Sequence, residues 1–139
     1  MMTHFKLFFI TLALFLVIDL FWLTVVMGPF YTQQLEHLAR LKDGALKPDI
    51  LSGLLVYVIM AIGLLFFVIN PNASKPLLEI AGSAALFGFV VYGVYELTNY
   101  AVLEGWKVPI IFVDITWGMG VNSIVAVLVI MIKRYFKIV

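Results

Sequence analysis

Four long stretches of the chain hold almost nothing but apolar residues: Leu7–Met27, Ile50–Ile69, Leu77–Leu103 and Val108–Ile132. Each is close to the roughly 20 residues that an α-helix needs to cross the hydrocarbon core of a bilayer. The runs are continuous rather than alternating, which predicts helices and not the short two-period strands of a membrane β-barrel. Punctuation residues agree with these limits. Gly28-Pro29 stops the first run, and Pro48 with Asp49 opens the second, where a fixed φ and a negative charge suit a helix N-terminus. Asn70-Pro71 closes the second, Ser74 and Pro76 start the third, Gly105 ends it, and Pro109 begins the fourth. The third run exceeds a perpendicular crossing, so it should tilt or end in an interfacial turn. The expectation is an all-α fold, a four-transmembrane-helix bundle forming a single transmembrane domain over residues 1–139.

The connections are short except for Gly28 to Lys47. There Phe30, Tyr31, Leu35, Leu38 and Leu41 fall roughly at helical spacing between Gln33, Gln34, Glu36, Arg40 and Lys42. Two readings fit: a helix lying in the headgroup region, or a polar loop with scattered apolar residues. Lys6 followed by an apolar run imitates a signal peptide. The run has 21 residues, contains Asp19 and lacks a small-x-small cleavage site, which predicts a retained first span. Four spans place both termini on one side. That side and the second loop carry Lys6, Lys75, Lys133, Arg134 and Lys137, against Arg40, Lys42, Lys47 and Lys107 opposite. The C-terminal cluster favours cytoplasmic termini. Trp106 reads as an interfacial anchor.

Composition narrows the chemistry. The 139 residues are 64% hydrophobic and only 12% charged, half the charge of a typical soluble domain, so most of the surface faces lipid. A net charge of +1 offers no basic face for nucleic acid. The absence of cysteine excludes disulfides, thiolate metal sites and catalytic thiols. His4 and His37 lie outside the apolar runs, against histidine-ligated haem or di-iron sites, and no lysine lies within a span to carry a retinal Schiff base. No metal and no cofactor is expected.

Three acids nevertheless lie deep inside the spans: Asp19, Glu96 and Asp114. An ionised acid at the bilayer centre costs roughly 2.5–3.5 kcal/mol on insertion scales, so all three should point inward and be protonated, hydrogen-bonded or bound to a cation. Counting at 1.5 Å per residue sets Asp19 about 12 Å before the end of its span and Glu96 about 10 Å before the end of its own. Asp114 falls about 9 Å into the fourth span and Tyr57 about 10 Å into the second. Because spans one and three leave on the face where two and four enter, the four residues share one layer, nearer the face opposite the termini. Helical faces point the same way. Ala81, Ala85, Gly88, Tyr92, Glu96 and Asn99 form one stripe, Asp114, Gly118 and Asn122 a second, and Phe15, Asp19 and Trp22 a third. Asp19-x-x-Trp22 is echoed by Asp114-x-x-Trp117. Polar residues in membrane bundles often only join helices, at about 0.6 kcal/mol per hydrogen bond, and single tryptophans usually pack. Three carboxyls at one depth exceed that need, since Asn or Gln would join helices at lower cost.

Phe30-Tyr31-x-x-Gln34-Leu35, Tyr95-Glu96-Leu97-Thr98-Asn99 and Phe112-Val113-Asp114-Ile115-Thr116-Trp117-Gly118 together resemble the predicted bacterial membrane proteins grouped as domain of unknown function 2177. The similarity runs along essentially the whole chain, including Asp19 and Trp22. The family pattern more often carries aspartate at the position of Glu96, which changes the reach of that carboxyl. The resemblance implies a small four-helix membrane protein of the bacterial cytoplasmic membrane with no established activity, and relatives encoded near lipid-modifying enzymes imply a lipid-linked role.

The functional expectation is a ligand site built from Asp19, Glu96, Asn99 and Asp114, with Trp22, Tyr57, Tyr92 and Trp117 as walls and hydrogen-bond donors. The bilayer itself and a small or amphiphilic ligand are the expected partners. A chain of 139 residues is short for a complete alternating-access carrier, which points to a homo-oligomer. Two other readings stay open. One is a lipid-acting membrane enzyme using one carboxyl as general acid and another as general base. The other is a structural partner of another membrane protein.

Overall fold

The computed structural model describes residues 2–35 and 38–138; Glu36 and His37, which the sequence assigns to the first connection, lie outside the described residues. Four helical spans are present: Thr3–Val26, Ile50–Asn72, Leu77–Val102 and Val108–Tyr135. The first is α1 (Met2–Phe21) prolonged by a π-helical turn (Trp22–Val26). A short α2 (Gly28–Leu35) follows, so Gly28-Pro29 both stops one helix and opens the next, Pro29 taking a first-turn position where its missing N–H costs nothing. The rest of the first connection is a tiny antiparallel hairpin, β1 (Leu41–Lys42) with β2 (Ala45–Leu46), in which Leu41 pairs Leu46 and Lys42 pairs Ala45. Asp43 and Gly44 both take positive φ between the strands, the two-residue turn that an Asp-Gly pair favours. The connection is thus neither one long interfacial helix nor a plain loop.

The second span is α3 (Ile50–Leu64), a π-helical turn (Leu65–Ile69) and α4 (Asn70–Asn72). Asp49 caps its start by accepting from the Ser52 backbone N–H at 2.9 Å. Asn70-Pro71 does not close the helix where the sequence suggests, for it runs to Asn72. Proline normally breaks a helix by crowding the carbonyl four residues back, here that of Phe67, and the wide π turn lies at that point. The third span is α5 (Leu77–Val102) and the fourth α6 (Val108–Tyr135).

Around the bundle, α1 packs on α3 and α6, and α5 packs extensively on α6. At the α5–α6 crossing, a Cβ on Gly88 would sit 2.2 Å from the Gly118 carbonyl oxygen, so the two backbones touch. A Cβ on Gly118 would in turn lie 2.3 Å from the Tyr92 ring. The half nearer the termini is an apolar core of Leu7, Phe15, Leu64, Val68, Ile69, Ile80, Ala84, Val125 and Val129. Arg134 closes that end by donating to the carbonyls of Ala73 and Lys75 at 3.1 and 2.6 Å. A stripe of Leu7, Thr11, Phe15 and Asp19, four residues apart, faces inward along α1 and leads from this core into the polar half.

Candidate functional site: a buried carboxyl layer

Asp19 ends that inward stripe and is nearly sealed, at 7% exposure. Both its oxygens accept: Oδ2 from the Tyr57 hydroxyl at 2.6 Å, and Oδ1 from the Trp117 indole N–H at 2.5 Å. One carboxyl thereby joins α1, α3 and α6. Each donor is an aromatic ring whose body packs among apolar neighbours while its polar tip reaches the acid. Trp117 also stacks on Trp22 with ring centroids 4.0 Å apart and planes 4° apart, a pairing worth about 0.5–1.5 kcal/mol beyond its burial. The i, i+3 echo of acid and tryptophan on α1 and α6 therefore has a spatial meaning, since its two tryptophans form the stack.

From the stack the network continues upward. The Trp22 indole N–H donates to the Tyr31 oxygen at 3.4 Å, and the Tyr31 hydroxyl donates to Asp114 Oδ1. Tyr31 rides on α2, which folds over the end of the bundle and packs on Ile110 and Ile111. Burial, and then the neighbouring Asp114 carboxyl, push the Tyr31 phenol above its ordinary pKa, so its proton stays on oxygen and it remains a donor. Lys107 holds α2 in place by donating from Nζ to the Gln33 carbonyl at 3.1 Å, a cation at a helix C-terminus.

Glu96 completes the layer. Its side chain is fully buried on the α6-facing side of α5 and meets Asp114 carboxyl to carboxyl. Glu96 Oε2 accepts from the Trp106 indole N–H at 2.8 Å, while Oε1 has no hydrogen-bond donor. Trp106 arrives there because the chain reverses after α5 through Gly105, whose φ of +90° suits glycine. Trp106 thus lies in the connection between α5 and α6 with its ring half-buried and its N–H committed inward.

The eight residues singled out from the sequence fare unequally. Asp19, Trp22, Tyr57, Glu96, Asp114 and Trp117 enter one connected set of hydrogen bonds and stacked rings. Tyr92 lies within electrostatic reach of Asp19 and Asp114 and packs on Gly118. Asn99 stands apart: it neighbours the Tyr95 hydroxyl, its buried Nδ2 makes no well-directed hydrogen bond, and nothing among the described residues bonds it to the three acids. Asn122 turns its amide N–H back to the Gly118 carbonyl at 2.7 Å. Tyr31 and Trp106 are the residues that the sequence did not offer for the site. Both sit in connections, beyond the reach of a depth count along the spans.

Beside the network, a groove of about 410 Å³ opens between Trp22, Met27, Phe112, Val113, Thr116 and Trp117. A larger cleft, about 840 Å³, lies between the end of α1, α2 and the hairpin. The first touches the Trp22–Trp117 stack and the second lies under the hairpin tip.

No curated protein and no solved structure matches the chain significantly. A family model described as a predicted membrane protein, DUF2177, matches residues 4–131, a stretch holding all three acids and every donor that reaches them. A multi-pass membrane bundle is what that description and the four spans share, and the chain belongs to the DUF2177 family.

Proposed function

We infer that this protein binds a small or amphiphilic ligand at its carboxyl layer, within the membrane. One observation carries the reading: Glu96 is wholly buried, contacts a second carboxyl, and keeps one oxygen without a donor. Leaving a buried acceptor unpaired costs about 1–3 kcal/mol, and more for a charged group, a cost that a merely structural glutamate has no reason to retain. Intramembrane acids that face a bundle interior commonly mark ligand or proton paths. The groove beside Trp22 and Trp117 supports lateral access from the lipid. A carrier function extends this reading if several copies assemble. Lys133, Arg134 and Lys137 support termini on the cytoplasmic side, in the bacterial cytoplasmic membrane that the family resemblance implies.

The test is native mass spectrometry of protein purified in mild detergent, with Glu96→Gln and Asp114→Asn alongside. A ligand of defined mass retained by the parent and lost from folded variants supports the reading. Identical spectra for all three proteins contradict it. Orientation is checked separately, by labelling single cysteines placed at Thr32 and Lys137; the chain's own lack of cysteine keeps that readout clean.

A second reading, docking to another membrane protein or to a second copy, rests on α3. From Ile50 to Val56 this helix is exposed or half-exposed on every face, and its contact with the bundle begins lower down. Cross-linking in membranes from cysteines at Leu51 and Leu55 would reveal a stable neighbour there.

A further inference from the structure

We propose that the face bearing the termini binds anionic phospholipids of the leaflet it meets, through basic residues drawn from α1, the loop before α5 and the end of α6. This surface is separate from the carboxyl layer. The net charge of +1 averages over an uneven division. Five basic side chains, Lys6, Lys75, Lys133, Arg134 and Lys137, belong to this face against one acid, Glu79. The opposite face balances Arg40, Lys42, Lys47 and Lys107 with Glu36, Asp43, Asp49 and Glu104, and the remaining three acids form the carboxyl layer. Lys6, Lys75, Arg134 and Lys137 are exposed and Lys133 is half-exposed, and none of the five forms an ion pair among the described residues. The face is a concentrated positive field with almost no counter-charge of its own.

Local geometry fixes these cations instead of leaving them on a loose tail. α6 ends in a Schellman-type turn, in which the Ile138 N–H donates to the Lys133 carbonyl at 3.0 Å and the Lys137 N–H to that of Arg134 at 3.4 Å. Ile138 packs on the apolar core and so pins the turn. The turn residue takes a φ of +48°, where glycine costs least, yet it is a lysine. A helix C-terminus gains from cations, which accounts for Lys133 and Arg134 but not for a lysine in that position beyond the helix end. Arg134 donates to the carbonyls of Ala73 and Lys75, which ties the second loop, and Lys75 with it, to the end of α6. α5 starts just after Lys75 without a side-chain cap, so its first backbone N–H groups add donors suited to a phosphate oxygen. Depth selects the partner. Tyr135 and Phe136, 81% and 68% exposed, form an edge-to-face aromatic pair beside the turn, a surface that settles at the level of lipid headgroups. Basic groups held at that level meet lipid phosphates before any soluble partner, and a cluster of this size beside a span suits anionic lipids. Phosphatidylcholine offers a phosphate too, but its own ammonium cancels the charge.

The experiment places the full chain in nanodiscs of equal parts palmitoyl-oleoyl phosphatidylglycerol and palmitoyl-oleoyl phosphatidylcholine, and counts the lipids that stay bound by native mass spectrometry. Phosphatidylglycerol should be retained at least tenfold over phosphatidylcholine, a preference that high salt erodes. Each lysine removed from beside an anionic surface costs roughly fivefold in affinity, so Lys133→Gln combined with Lys137→Gln should abolish most of the preference. Lys42→Gln combined with Lys47→Gln, on the opposite face, should leave it intact. Lys137→Gly keeps the turn, whose positive φ glycine favours, so its roughly fivefold fall in phosphatidylglycerol retention cannot come from a lost fold. Equal retention of the two lipids by the parent overturns the proposal and leaves the face to an acidic protein partner. An unchanged preference in the Lys133 and Lys137 double variant overturns it too. So does an equal loss in both double variants, since the attraction then belongs to overall charge and not to this face.

Discussion

The two halves of this bundle, divided across the membrane plane, are held together by different forces. Toward the termini, Leu7, Phe15, Leu64, Val68, Ile80 and Val129 pack from all four spans, and the buried Thr11 and Asn72 among them donate to carbonyls of their own helices. Lipid tails are as apolar as these side chains, so shape and dispersion, not expulsion from water, make that half cohere. Toward the opposite face, α3 stands away from the bundle, and cohesion there comes from aromatic donors converging on carboxyls. The first half is closed and satisfied. The second is joined at a few points and retains an unpaired acceptor, Glu96 Oε1. A protein that needed only to be a stable bundle could have built both halves like the first. Where cohesion is given up in exchange for buried acids is where a function is to be sought.

The largest effect should come from breaking the seam that both halves share. In Gly88→Ala the new methyl meets the backbone oxygen of Gly118, which cannot rotate away, so α5 and α6 must part. A loss on the order of 3 kcal/mol is expected, the upper range for overpacking, seen as a large fall in thermal midpoint in detergent. Next is Glu96, the residue that most separates the halves. Glu96→Ala strands the Trp106 N–H and opens a cavity, a cost of roughly 3 kcal/mol, whereas Glu96→Gln keeps the shape and should cost about 1 kcal/mol. Equal melting of the two variants would deny that the hydrogen bonds matter.

These contrasts also mark how far the sequence could be read. The four spans and the common depth of Asp19, Glu96, Asp114 and Tyr57 followed from apolar runs and helical rise alone, because lipid forces both. The identity of the donors did not follow. Tyr31 reaches Asp114 only because α2 folds back over the bundle, and Trp106 reaches Glu96 only because the chain reverses at Gly105. Hydropathy marks both segments simply as connections. The hairpin turn at Asp43-Gly44 went unread between the helix and loop readings of the first connection, and the π turns in spans one and two have no strong local signature. Asn99 was drawn into the site by a three-residue offset from Glu96, and that offset still leaves it beside Tyr95.

Smaller effects sharpen the picture at its edges. Tyr31 holds its proton more tightly in the folded protein than the ordinary phenol value of 10.0, so the folded state binds more protons than the unfolded chain above that pH. Stability should therefore fall as pH rises past about 10, and Tyr31→Phe, though less stable at neutral pH by about 1 kcal/mol, should show a shallower alkaline decline. Melting curves from pH 8 to 11 on both proteins check the sign. The smallest change belongs to Asp49, the exposed cap of span two, whose carboxyl the Ser52 hydroxyl and N–H hold below its ordinary pKa. Its contribution is present above the ordinary carboxylate range and fades as pH falls. Asp49→Ala should thus differ slightly from the parent at pH 7 and converge on it in acid.

The central claim is that acids on different helices form one layer and not separate local bonds. A double-mutant cycle of Asp19→Asn and Asp114→Asn, read by thermal or chemical unfolding in detergent, tests it most directly. The two residues share no contact in the sequence, yet Trp117, Trp22 and Tyr31 link them in space. A coupling energy of at least ~0.5 kcal/mol is expected for groups in one network; additivity to within ~0.3 kcal/mol, the behaviour of independent sites, would contradict the shared layer.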